Sequence, residues 1–173
     1  MTMKQTQINK TLLLVIVLIT FLFQTTTAIA RSDDLIQREI KAKIAHTKLL
    51  RKTQIEVRTV QRFVVLTGQV RLYEQKLIAG RIGWTAAGVF EVENDISVVP
   101  AVAVSDNNID LQIRKIIQTD KRFIAAAVEI SVNNGVVRLS GKFDNWHDPS
   151  RLRHSLAEIE GILDITMNVE FNV

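Results

Sequence analysis

Shifted by 73 positions, the second half of the chain falls on the first without a gap. Asp33 meets Asp106. Ile36, Ile40 and Ile44 meet Ile109, Ile113 and Ile117. Glu56 meets Glu129, Val64 meets Val137, Leu66 meets Leu139, Gly68 meets Gly141 and Gly88 meets Gly161. Identities are few, but they sit where helix, strand and turn signals are set. Such a duplication constrains the fold strongly: the 173 residues are expected to hold two small domains of one kind.

Each unit reads the same way. Asp33 and Asp106 each follow a serine and open an apolar-periodic run, a helix start. The isoleucines spaced by four lie on one helical stripe. Ile55 to Val60 and Val128 to Val132 alternate and are rich in β-branched residues, so both predict strands. Asn133-Asn134-Gly135 predicts a tight hairpin turn into Val136 to Phe143. In the first unit Gln61-Arg62 occupies that turn without glycine. RFVVLTGQV (Arg62 to Val70) and GVVRLSGKF (Gly135 to Phe143) read as second strands ending at Gly68 and Gly141. A second helix follows: Tyr73 to Ala87 in unit one, and in unit two a run opened by Asp148-Pro149, since proline suits the first helical turn. Gly88 and Gly161 end these helices, and Val89 to Val99 and Ile162 to Val173 alternate again. The order αββαβ predicts an α+β fold, two domains each with a three-stranded mixed sheet covered on one face by two helices. The expected boundaries are 1–30, a signal segment; 31–100, the first domain; 101–105, a linker; and 106–173, the second domain.

The first thirty residues carry Lys4 and Lys10 and no acid, then an apolar stretch from Leu12 to Phe23 broken only by Thr20. Ala28-Ile29-Ala30 fits the small-residue pattern of a secretory cleavage site. A spanning helix needs about 20 apolar residues, more than this run supplies. Export with cleavage after Ala30 is the expectation, and with it a periplasmic location. No cysteine is present, which excludes disulfides, thiolate metal sites and a lipid-bearing cysteine.

Charge is unevenly divided. Residues 31–100 carry 12 basic and 8 acidic side chains, and residues 101–173 carry 8 and 10. Arg38, Lys41, Lys43, Lys48, Arg51 and Lys52 crowd one stretch. A basic face of this kind suits an anionic membrane surface, and a solvated helix and loop would read alike. The second helices also differ. Leu152, Leu156 and Ile159 of unit two align with Ala79, Gly83 and Ala86 of unit one. Glycine inside a helix costs about 1 kcal/mol against alanine. Gly80, Gly83 and Trp84 are therefore candidates for a smooth face packed against unit two or a partner chain.

Catalytic signatures are lacking. His46, His147 and His154 have no nucleophile placed beside them, so no enzyme is expected. Asp144-Asn145-Trp146-His147-Asp148 lacks the glycine and closing glutamate of a calcium loop. Gly80-Arg81-Ile82-Gly83 matches the phosphate-clamping GxxG of an RNA-binding module, but unit two has Arg153-His154-Ser155-Leu156 there. No cofactor, nucleic acid or small-molecule substrate is expected. Trp146, ahead of a helix, is a candidate for a bilayer interface, and core or lid packing suits either tryptophan equally.

Taken together, Ile55-Glu56-Val57, Val64-Val65-Leu66-Thr67-Gly68-Gln69-Val70, Gly88-Val89 and Val92-Glu93-Asn94-Asp95-Ile96-Ser97-Val98 resemble the pattern of the BON family of bacterial domains. Unit two repeats the skeleton, with Phe143 for valine, Ile162 after its glycine and Met167 for the asparagine. The resemblance spans the chain beyond the signal segment. It implies a periplasmic, non-enzymatic binding protein linked to osmotic and envelope stress, in contact with anionic phospholipid headgroups. The alternative it implies is a chaperone or adaptor for exported envelope proteins.

Overall fold

The structure, a computed structural model, describes residues 32–172. The apolar stretch Leu12 to Phe23 and the cleavage pattern at Ala30 lie outside these residues. The first repeat runs α1 (Asp33–His46), β1 (Gln54–Val60), β2 (Phe63–Val70), α2 (Tyr73–Trp84) and β3 (Glu91–Val98). The second runs α3 (Asp106–Thr119), α4 (Lys121–Ala125), β4 (Glu129–Asn133), β5 (Val136–Phe143), α5 (Asp148–Ala157) and β6 (Asp164–Phe171). In each repeat the middle strand is central, pairing antiparallel with its hairpin partner and parallel with the strand after the crossover helix. This is the α+β architecture with two mixed sheets that the repeat predicted.

The alternation of each strand sends one row of side chains to the helices. Val57, Val64, Leu66 and Ile96 are buried beneath α1, whose Ile36, Ile40 and Ile44 are buried in turn. Full burial of each such side chain contributes about 1.5–3 kcal/mol. Thr59 shares this inward row, and its buried hydroxyl has no hydrogen-bond partner. Val132 holds the matching place in repeat two. Thr59→Val should raise stability by about 1 kcal/mol, because a desolvated, unpaired hydroxyl leaves the core. Chemical denaturation checks this: an unchanged or lower midpoint would show that the hydroxyl is satisfied.

Asp33 and Asp106 do more than open a helix. The Asp33 carboxylate accepts from the backbone N–H groups of Gln61 at 2.7 Å and Arg62 at 2.8 Å. Asp106 accepts likewise from Asn134 at 2.8 Å and Gly135 at 2.9 Å. Both hairpins thus turn on two residues with positive φ, 50° and 67° for Gln61 and Arg62. That backbone matches the right-handed twist of the strands. The first turn lacks glycine, and the clasp from Asp33 offsets its conformational cost.

Several boundaries differ from the sequence reading. Neither β2 nor β5 ends at its glycine: each continues two residues further, to Val70 and Phe143. The second helix of repeat one stops at Trp84 rather than Ala87, and the last strand covers Asp164–Phe171. Gly88 and Gly161 lie in the turns between second helix and third strand, with φ of 90° and 97°. The short helix α4 was not anticipated. It is capped by Asp120, which accepts from the Arg122 N–H at 3.0 Å, while the Arg122 guanidinium holds the Asp120 carboxyl down at about 2. Its Phe123 is buried where Leu50 is buried in repeat one. Each repeat is therefore pinned at this turn by one large apolar side chain.

The repeats have separate cores with one shared element. Tyr73, the first residue of α2, is buried among Ile109, Leu152, Leu156 and Ile165 of repeat two, and Leu77 packs there too. Arg81, one further turn along, hydrogen-bonds the Nε2 of His154, whose Nδ1–H donates to the Ser150 carbonyl at 2.8 Å. Arg71 lies 3.5 Å from Glu160. Burial chiefly, then the Asp164 charge, raises the Tyr73 pKa. Burial and the charge of Glu158 raise that of Glu74.

Candidate functional site

The basic stretch folds into the end of α1 and the tight turn after it. Thr47 and Leu50 carbonyls close this turn, accepting from Leu50, Arg51 and Thr53 N–H groups at 2.8–3.0 Å. Burying Leu50 leaves its neighbours outside, so Lys48, Arg51 and Lys52 are exposed. A groove of about 630 Å³ opens here, between the turn and the far ends of β2 and β3. Lys48, Arg51, Lys52 and Arg71 line it together with the apolar Leu49 and Val99, and no carboxylate lines it. Leu49 and Val99 are 42% and 49% exposed, so cations and apolar surface are offered side by side.

Gln75 fixes the groove wall. Its Oε1 accepts from the N–H of Arg71 at 2.9 Å and of Leu72 at 3.1 Å, which satisfies the start of α2. Its Nε2 donates to the Leu49 carbonyl at 2.7 Å. One side chain thereby ties the helix start to the basic turn. Arg71 and Gln75 escaped the sequence reading, because both lie more than 15 residues beyond the charged run. The signal was available only in the Gln at the third helical position, which reaches back to the helix start.

Of the six cations named from sequence, the groove gathers three. Lys43 points elsewhere: its ammonium donates to the Thr85 hydroxyl at 2.9 Å and carbonyl at 3.1 Å, and pairs with Glu39 at 2.7 Å. It is a tether between α1 and the end of α2. Arg38 donates to the Asp34 carbonyl of its own helix at 3.2 Å. Lys41 is exposed on α1, away from the groove lining.

The glycine face does not meet repeat two. A Cβ at Gly80 would fall 2.6 Å from the Asn94 side chain, and one at Gly83 would fall 2.9 Å from that of Val92. Both glycines let α2 approach its own strand β3, and Trp84 is 57% exposed. The contact with repeat two is made instead by Tyr73, Leu77 and Arg81. The GxxG lies inside this helix, so it forms no phosphate-clamping loop. At the Asp144-to-Asp148 stretch, Asp148 turns inward to Arg151 at 3.2 Å and Arg122 at 3.5 Å. Trp146 is 72% exposed and stacks on His147. No helix of the described residues is long and apolar enough to cross a membrane.

Comparison with known proteins bears on the whole chain. The BON domain family matches residues 32–100 and again 105–172. Two such domains in tandem resemble proteins of the osmotically inducible periplasmic protein Y type. No curated protein sequence matches. A solved structure of CdsD, a structural protein of the type III secretion system of Chlamydia trachomatis, is similar at 17% identity and a TM-score of 0.32. The match covers 82% of this chain and 64% of that one, so the chain spans less than two thirds of it. A structure of the CdsD C-terminal domain is similar at 16% identity and a TM-score of 0.30, covering 82% and 68%. With both repeats matched, the chain belongs to the BON domain family, non-catalytic binding domains associated with phospholipids.

Proposed function

We propose that this protein works in the bacterial envelope, after export to the periplasm, by docking the basic end of its first domain on anionic phospholipid headgroups. The observation that supports this is the groove lined by Lys48, Arg51, Lys52 and Arg71, the last also 3.5 Å from Glu160 outside the lining, beside exposed Leu49 and Val99. Phosphate esters meet cations there, and the apolar pair suits the boundary between headgroup and acyl chain. The resemblance to proteins of the osmotically inducible periplasmic protein Y type adds a role in osmotic or envelope stress to this reading.

Vesicle flotation tests the reading. The chain should float with vesicles containing about a third anionic lipid and stay down with neutral ones, and salt should release it. Each near-surface cation contributes about 1 kcal/mol on such membranes. Exchanging Lys48, Arg51, Lys52 and Arg71 together for glutamine should therefore weaken binding by as much as about a thousandfold. Flotation of that variant at wild-type strength would remove the groove from the mechanism.

A further inference from the structure

The four outer strand edges of the two sheets are not equally open. On β1 the Thr59 N–H already donates to Gln37 of α1 at 3.1 Å. Strand β4 has only five residues. The start of β6 is covered by Tyr73, which lies beside Asp164 and Ile165. The matching start of β3, Glu91-Val92, has no such cover. Phe90 precedes it at 60% exposure and Phe63 beside it is 42% exposed, with ring centroids 5.1 Å apart. Arg62 lies over the Phe90 ring at 6.0 Å.

Along β3, Val92, Asn94 and Ile96 face α2, while Glu91, Glu93 and Asp95 point outward and are exposed. Among the described residues none of these three carboxylates has an ion-pair or hydrogen-bond partner. This occurs in the domain that carries 12 basic side chains. The fold does not require the second and third acids: β6 keeps one, Asp164, at the place of Glu91, but has Thr166 and Asn168 at the places of Glu93 and Asp95. At Ile96 the edge closes, where the N–H is taken by the Asn94 side chain at 3.4 Å.

We propose that the open edge of β3, from Phe90 to Asp95, docks an extended segment of a partner protein that carries lysine or arginine at alternate positions and an aromatic side chain at one end. An added strand repeats its side chains every two residues, about 6.6 Å, the spacing of the three carboxylates. Basic residues on its outer face then lie opposite Glu91, Glu93 and Asp95, and main-chain pairing supplies affinity. The aromatic residue packs at the strand start against the exposed rings of Phe90 and Phe63. A second copy of this chain presenting the same edge is excluded by charge, since it would set acid against acid. The site lies at the end of domain one opposite the basic groove, so lipid and partner are held independently.

Peptide titration of the isotopically labelled full chain tests this. The probe is a ten-residue peptide with a terminal tyrosine and alternating lysine and valine. It should shift the amides of residues 90–95 and bind at least about tenfold more tightly than a peptide of equal composition with its lysines in one block. Glu91→Lys, Glu93→Lys and Asp95→Lys together should weaken it by at least about tenfold. All three side chains are exposed, and an unchanged amide spectrum outside β3 shows that the variant keeps the fold. The proposal is overturned by equal binding of the block peptide, by equal binding to the reversed variant, or by shifts confined to the basic groove.

Discussion

Gly68→Ala should destabilise the first domain by more than about 3 kcal/mol, enough to unfold it in part at ordinary temperature. Gly68 has φ of +122°, in the middle of β2 and opposite Ile55. A Cβ there would stand 2.0 Å from the Gln54 carbonyl oxygen, which is backbone of the paired strand and has no side-chain freedom to yield. Strain and clash act together. Gly141→Ala is the internal control. It occupies the same place in β5 without positive φ, and its nearest neighbour would be the Ala126 oxygen at 3.1 Å. That exchange should cost no more than about 1 kcal/mol. Hydrogen exchange resolved along the chain distinguishes the two: loss of protection in β1 to β3 for the first, little change for the second. Equal midpoints for the two variants would refute the explanation by strain and clash.

Tyr73→Ala should loosen the second domain although the residue belongs to the first. The ring is 5% exposed and its neighbours are isoleucines and leucines of repeat two. Truncating a buried aromatic costs about 3–5 kcal/mol. Protection should fall in α5 and β6 as well as in α2. Tyr73→Phe keeps the packing and should cost less than about 1 kcal/mol. If Tyr73→Ala disturbed domain one alone, the shared-core interface would be wrong. A pH dependence follows too. The folded pKa of Tyr73 is raised from 10.0, so the neutral phenol stabilises the fold. That contribution is whole below pH 10 and disappears as pH climbs through the raised value.

Much of this architecture was legible in the residues. The period of 73 gave two domains, and Ile36, Ile40 and Ile44 with their copies gave the buried stripe of α1 and α3. The family followed from the strand motifs. Gly68 and Gly141 were misread as strand ends, because glycine signals a turn and a close backbone approach within a strand equally in one dimension. Gly80 and Gly83 were misassigned for a related reason. A smooth helical face says that something comes close, not which strand does. The basic groove was half legible: Lys48, Arg51 and Lys52 are neighbours in sequence, but Arg71 reaches them only through the fold. Lys43 looked equivalent to them, and only its distances to Thr85 and Glu39 show that it is spoken for. The interface was invisible, since Tyr73, Leu77 and Arg81 share a face whose partner lies far along the chain.

The close approach of α2 to β3 has an entropic consequence. Where domain two fills the gap between helix and sheet with Leu152, Leu156 and Ile159, domain one fills it with Ala79, Gly83 and Ala86. On the flanks of the helix the balance reverses, since Ile78 and Ile82 pack against the domain-one core where domain two has Arg151 and Ser155. At the seam itself, alanine and glycine have no side-chain rotamers to lose, so ordering this contact costs domain one less side-chain conformational entropy than leucine and isoleucine cost its neighbour.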